Sequence, residues 1–185
     1  MEGKNNLVVI LMGVTGTGKT TVGLALSQAT GWKFADADDF HSAANRAKMH
    51  AGIPLTDADR EPWLESLHGQ IAAWIAAGEN AILACSALKE SYRATLTAEE
   101  PQNAFRYVYL TGPPELIDKR LKARTGHYMP ESLLPSQLAT LEPPRDAIEI
   151  SIDQTVPAMV QQILSELSRE GYAGGVGTNG NSKGV

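Results

Sequence analysis

The sequence predicts an α/β fold: a parallel β-sheet with helices on both faces. Three observations lead there. Apolar runs of strand length recur along the chain, segments with helical apolar spacing separate them, and a glycine-rich turn joins the first run to the first helical segment. Strands separated by helices pair in parallel, because the crossover returns each new strand to the same end of the sheet.

The first run, "LVVILM" at 7–12, is apolar throughout, as a strand covered on both faces should be. Val22, Ala25, Leu26 and Ala29 then repeat at helical spacing. A short strand is expected around Lys33–Asp36. Trp63, Leu64, Leu67, Ile71, Trp74 and Ile75 form a second helical face that ends near Gly78. "AILAC" at 81–85 and "FRYVYL" at 105–110 are two more strands, with Cys85 read as a small buried residue. "AIEISI" at 147–152 alternates, which predicts a strand nearer the sheet edge. Val156, Met159, Val160, Ile163, Leu164 and Leu167 make a closing amphipathic helix. Five strands result, in a single domain over residues 1–170. The remaining 15 residues, 171–185, contain six glycines and predict a disordered tail with no part in the fold.

Bulk properties narrow the function. A net charge of −5 supplies no overall positive field to draw nucleic acid or an anionic membrane. One cysteine cannot form an internal disulfide, and no segment approaches the ~18 apolar residues of a membrane span. A cytoplasmic protein is the expectation. Any anion must therefore be bound by a local cluster.

"GVTGTGKT" at 13–20 is such a cluster. It fits G-x-x-x-x-G-K-[ST] and sits between a strand and a helix. Glycines let successive backbone N–H groups point into one concavity, and the helix behind adds its free N-terminal donors. Gly13, Val14, Thr15, Gly16, Thr17 and Gly18 would form the cradle for a nucleotide's phosphates. Lys19 would face the β- and γ-phosphates, and the Thr20 hydroxyl would face Mg²⁺. A guanine-specific switch usually carries N-K-x-D, which is absent here, and the chain is short for a motor or transporter ATPase. A kinase with a small acceptor is favoured over a nucleotide-dependent binding module.

Three further blocks are specific: "FADADDFHSAANRAKMHAGIPLTDADREPWL" at 34–64, "CSALKESYR" at 85–93 and "RTGHYMPESLLPSQLATLE" at 124–142. Together with the phosphate loop they resemble the gluconate kinases, relatives of shikimate kinase and the nucleoside monophosphate kinases. Departures are small: Tyr128 stands where phenylalanine is usual, Glu90 where a basic residue is common, and "LEPPRDA" is looser than the family's ending. The resemblance implies a three-layer P-loop kinase fold with a five-stranded parallel sheet and a mobile lid. It also implies ATP-dependent phosphorylation of the terminal hydroxyl of D-gluconate, with Mg²⁺, by direct in-line transfer. Bacterial relatives suggest a homodimer.

The site residues follow partly from chemistry and partly from that resemblance. Asp36 and Asp38 project to one side if extended geometry continues past the strand. By resemblance, Asp36 holds Mg²⁺ through water, and Asp38 accepts a hydrogen bond from the acceptor hydroxyl and takes its proton. Asp39 is read as helix-start chemistry near Phe40. Gluconate is itself an anion, so it needs a cation. Arg60 matches the arginine that holds the acceptor carboxylate in shikimate kinases, Lys48 is a second candidate, and Arg46 is a third. His41 is either a partner for a sugar hydroxyl or a surface residue at a helix start. Lys89 and Arg93 are four apart and are acceptor-side candidates on one helix face. Arg120 and Arg124, also four apart, resemble lid arginines that close on the transferring phosphoryl group, whereas Lys119 and Lys122 read as a solvated face. His127 and Gln137 match family blocks; His127 is placed on the substrate side and Gln137 carries no assigned role.

Overall fold

The structure is a computed structural model that describes residues 6–124 and 133–172. Five parallel strands lie in the order β2-β3-β1-β4-β5: β1 is Val8–Met12, β2 Lys33–Asp36, β3 Ala81–Ala84, β4 Phe105–Thr111 and β5 Ile148–Ser151. The all-apolar β1 takes the central position with every residue buried. The alternating β5 lies at one edge, buried and exposed in turn, and the short β2 closes the other edge.

Helices cover both faces because β1 offers apolar side chains to both. Val9 and Leu11 join one core with Val22 and Leu26 of α1 (Lys19–Thr30) and Met159 and Ile163 of α7 (Val156–Arg169). Val8, Ile10 and Met12 join the other with Leu67 and Ile71 of α3 (Asp57–Ala76) and Tyr92 and Leu96 of α4 (Glu90–Leu96). The two-residue period of the strand thus divides one apolar run between two cores, giving three layers. Three further α-helices lie in the described chain: α2 (Ala43–His50), α5 (Pro114–Ala123) and α6 (Leu133–Thr140).

Register places the site. Leu11 of β1 and Asp36 of β2 both pair with Ala84 of β3, so three strands end level with one another. The Gly13 N–H then donates to the Ser86 carbonyl 3.3 Å away, bringing the turns after β1 and β3 side by side. Ligands of open α/β sheets bind at such carboxyl ends. Among the described residues no helix is long and apolar enough to cross a membrane.

Two expectations change. The extended geometry proposed past Asp36 does not continue: a 3₁₀ turn begins at Ala37, because the Asp36 carboxylate accepts the Asp38 N–H at 3.0 Å and caps it. The tail was expected from Gly171, yet Tyr172 packs against the first core. Gly171, at φ +89°, turns the chain back, and the Tyr172 N–H caps Leu167 O at 2.9 Å. Residues 173–185, the rest of that tail, and 125–132, the core of the expected lid, lie outside the described residues.

Candidate active site

The turn after β1 needs its glycines. Gly13 has φ +146°, and a Cβ there would sit 2.6 Å from the Leu110 carbonyl oxygen, a backbone atom that cannot yield. Gly18 has φ +90° and brings the chain into α1. No side chain caps that helix start, and no acid stands in its first turn. Its free N–H groups and positive dipole end are therefore left for an anion. Lys19 lies against this turn, its Nζ 3.0 Å from Val14 O. Burial lowers its pKa from the ordinary lysine value, against the opposing pull of Asp38, Cys85 and Asp36; nearby Arg124 adds to the lowering. A partly desolvated ammonium in such a position is short of counter-charge.

Beside it, the Thr20 hydroxyl donates to Asp36 Oδ2 at 2.5 Å. Hydroxyl and carboxylate oxygens are hard donors, and one or two carboxylates plus substrate phosphates are the usual surroundings of Mg²⁺. Thr20 and Asp36 therefore fit such an ion. Asp38 lies one turn on. It is open to the cavity, yet desolvation by the cavity walls, then the Asp36 charge, push its pKa above the ordinary carboxylate value, with Lys19 pulling the other way. That direction suits a group that must take a proton near neutral pH.

One cavity of about 640 Å³ joins this cluster to a second wall built from α2 and α3. Its lining includes Lys19, Thr20, Asp36, Asp38, Arg124, His41, Arg46 and Arg60. The Trp63 indole N–H donates to Ala37 O at 2.7 Å, tying α3 to the turn that carries Asp38. The Trp63 ring stacks on His41 with centroids 4.3 Å apart. Asn45 Nδ2 donates to Asp59 O at 2.7 Å and lies 3.4 Å from His41 Nδ1. An amide N–H facing Nδ1 makes it an acceptor, so the neutral ring carries its proton on Nε2. Burial, then the charges of Arg60 and Arg46, lower the His41 pKa to about 4.

A pH dependence follows. In the unfolded chain His41 takes a proton below pH ~6.5, whereas the folded protein resists protonation until about pH 4. Between those values the unfolded state binds more protons, so stability falls as pH drops. His41→Gln should flatten that part of the curve; melting temperatures at several pH values across the window check it. Parallel curves for the two proteins would remove His41 as the cause.

A family profile described as an AAA domain matches residues 8–144. The probable gluconokinase of Rattus norvegicus is 45% identical over 179 residues, covering 86% of this chain and 97% of that one. The gluconokinase of Gluconobacter oxydans is 44% identical over 165 residues, covering 88% and 92%. The chain belongs to the gluconokinase family. The crystal structure of a gluconokinase from Sinorhizobium meliloti superposes with a TM-score of 0.78 at 39% identity, covering 92% of this chain and 95% of that one. Membership of this P-loop kinase family carries the use of a nucleotide.

Within this gluconokinase framework, not every expected residue reaches the cavity. Lys48 instead pairs with Asp59, 2.8 Å from both carboxylate oxygens. Asp59 is fixed as the N3 residue of the capping box that starts α3, so the Lys48 charge is already neutralised. Lys89 binds Asp57 at 2.9 Å, and it is the N-cap of α4 rather than part of a face shared with Arg93. Arg93 is buried and donates to the carbonyls of Ala87 and Leu88, bracing the turn after β3. Arg120 donates to Ile152 O at the end of β5. Arg124 lies past the end of α5 in extended geometry, so the two arginines share no helix face. Asp39 lines the cavity, but capping near Phe40 falls to Asp36 for the 3₁₀ turn and Ser42 for α2. His127 lies outside the described residues.

Other contributors had no role that the sequence assigned. Gln137 of α6 accepts the Thr15 N–H at 2.6 Å, so a residue 122 positions away closes on the phosphate loop. Asn45 and Trp63 set the His41 ring. Helical spacing marks Trp63 as core but cannot show that its edge also holds the turn that carries Asp38.

Proposed function

We propose that this chain catalyses ATP-dependent phosphorylation of D-gluconate at its terminal hydroxyl, giving 6-phosphogluconate. The observation that carries the reading is one continuous cavity with two unlike ends. One end is an uncapped helix start with Lys19, Thr20, Asp36 and Asp38; the other presents Arg46 and Arg60 with no carboxylate paired to them among the described residues. A small acid with a distal hydroxyl spans these ends: its carboxylate meets Arg60, and its hydroxyl meets Asp38.

Each group has a physical task. The loop amides and Lys19 hold the phosphates and take up charge on the transferred phosphoryl group. Thr20 and Asp36 would hold Mg²⁺, which supplies charge neutralisation at the β- and γ-phosphates. Asp38 accepts the hydroxyl hydrogen bond and removes its proton, aligning the oxygen for attack. The neutral His41 offers Nε2–H to a polyol oxygen. Arg124 adds positive charge near Lys19. The chain would act in the cytoplasm, as one kinase unit whose packing reaches Tyr172.

A coupled assay of ADP release tests the reading. With Mg²⁺-ATP, gluconate should be turned over in preference to shikimate, other sugar acids and nucleoside monophosphates. Absence of turnover at millimolar gluconate, or preference for another panel member, would overturn it.

A further inference from the structure

Arg60 brings a positive charge to the cavity wall, and no ion pair among the described residues neutralises it. Its guanidinium is nevertheless held. Nη1 donates to the Leu55 carbonyl and lies 3.4 Å from the Tyr92 phenol oxygen, and Cζ stands 5.5 Å from the Tyr92 ring centroid. Tyr92 belongs to α4, is 5% exposed, and does not line the cavity. Its link to the cavity lining runs through Arg60.

The phenol is fixed in turn. Its hydroxyl donates to Asp57 Oδ1 at the start of α3. Lys89 Nζ also binds Asp57, at 2.9 and 3.0 Å, and lies 5.4 Å from the ring centroid. Two cations thus share one aromatic ring, and of the two only Lys89 is ion-paired with the Asp57 carboxylate. A phenol oxygen can accept from Arg60 while donating to Asp57; phenylalanine can do neither. Burial and the Asp57 bond push the phenol above its ordinary pKa, so it stays protonated.

The choice of partner has a consequence. A carboxylate would hold the guanidinium more firmly, but it would neutralise the charge and compete with an acidic ligand. A neutral oxygen and a ring face orient the fork and leave its charge available. We propose that Tyr92 is a positioning residue that holds Arg60 for the carboxylate of the acceptor acid, with Asp57 and Lys89 fixing the phenol. This rests on the reading of Arg60 as the anchor of that carboxylate.

A double-mutant cycle tests it, using wild type, Tyr92→Phe, Arg60→Ala and the double variant, with KM and kcat for gluconate, KM for ATP and melting temperature. Tyr92→Phe should raise the gluconate KM about tenfold, the scale of a lost hydrogen bond to a charged group, with kcat and the ATP KM unchanged. Arg60→Ala should raise it further. In the Arg60→Ala background, Tyr92→Phe should add nothing. A gluconate KM within about twofold of wild type in Tyr92→Phe, or an equal additional loss in the double variant, overturns the proposal and leaves the anchor reading intact. An unchanged gluconate KM in Arg60→Ala overturns both. Should Tyr92→Phe not fold, Asp57→Asn removes the strong acceptor of the phenol and should move gluconate KM in the same direction; no movement counts against the proposal.

Discussion

Asp38→Asn is expected to lower kcat by about 10²–10⁴, the usual contribution of a positioned general base, while nucleotide affinity stays within about twofold. The asymmetry follows from the fold. Asp38 stands in a 3₁₀ turn after β2, in the same cavity lining as the phosphate loop, and among the described residues no hydrogen bond joins it to the loop backbone. Asparagine can still accept a hydrogen bond from the hydroxyl, but it cannot take the proton, so acceptor binding should survive better than turnover. The pH profile supplies a second readout. Desolvation and Asp36 hold the Asp38 pKa above the ordinary carboxylate value, and a general base must act in its deprotonated form. The acid limb of kcat/KM should therefore lie above the ordinary carboxylate range and activity should rise with pH through it; the limb should vanish from the small residual rate of the variant. Steady-state kinetics across pH, with calorimetric titration of a non-hydrolysable ATP analogue, measure both. A near-normal rate for Asp38→Asn would exclude it as the base.

The parts of this site that could be read from the chain are those whose chemistry is local. G-x-x-x-x-G-K-[ST] specifies a backbone path, and the structure shows why: Gly13 has no room for a Cβ beside Leu110 O. The sheet was legible because an all-apolar run such as 7–12 can only be central, while "AIEISI" alternates and can only face solvent on one side. What could not be read depends on partners distant in sequence. Lys48 looks free in "NRAKMHAG", and nothing in that block shows Asp59 waiting 2.8 Å away. Arg120 and Arg124 have helical spacing, but the helix ends at Ala123, between them. Asp36 and Asp38 were assigned to one side by strand geometry. The structure puts them together for another reason: the Asp36 carboxylate starts the turn that carries Asp38. Tyr92 sits in "CSALKESYR" with no role marked by its spacing. Its hydroxyl matters only once α3 and α4 are packed together.

That packing also separates the two charges the reaction must handle. On the proposed reading the phosphates are met at the ends of β1 and β3, from one strand–helix turn. On the same reading the acceptor acid is met by α2 and α3; Trp63 ties α3 to the Asp38 turn and Asn45 ties α2 to α3. A fault in the acceptor wall should thus appear in the acid's KM, and a fault in the loop should appear in everything that depends on phosphate.

Lys19→Met isolates the second case and should have the larger effect, a fall in kcat/KM of about 10³ or more, since the lysine stabilises charge that grows on the phosphoryl group in the transition state. Methionine keeps the length and much of the volume of the side chain, so packing at the start of α1 is little disturbed. Stability should move the other way. Burial lowers the Lys19 pKa, which means that the folded state carries its ammonium at a cost while the unfolded chain does not. A group depressed in this way detracts from stability throughout the pH range where the unfolded lysine is protonated, and the deficit shrinks as pH rises towards ~10.5. At neutral pH the variant should therefore melt no lower than wild type, and the difference should narrow under alkaline conditions. The same substitution removes a cation that faces Asp36 and Asp38, so the Asp38 pKa should rise further and carry the acid limb of any residual activity to higher pH. Thermal melts at two pH values, beside the rate measurements, separate these effects. A variant that loses activity together with melting temperature would mean that Lys19 serves the fold. Activity lost without a loss of stability is the signature of a charge held out of its preferred solvent for the phosphates to meet.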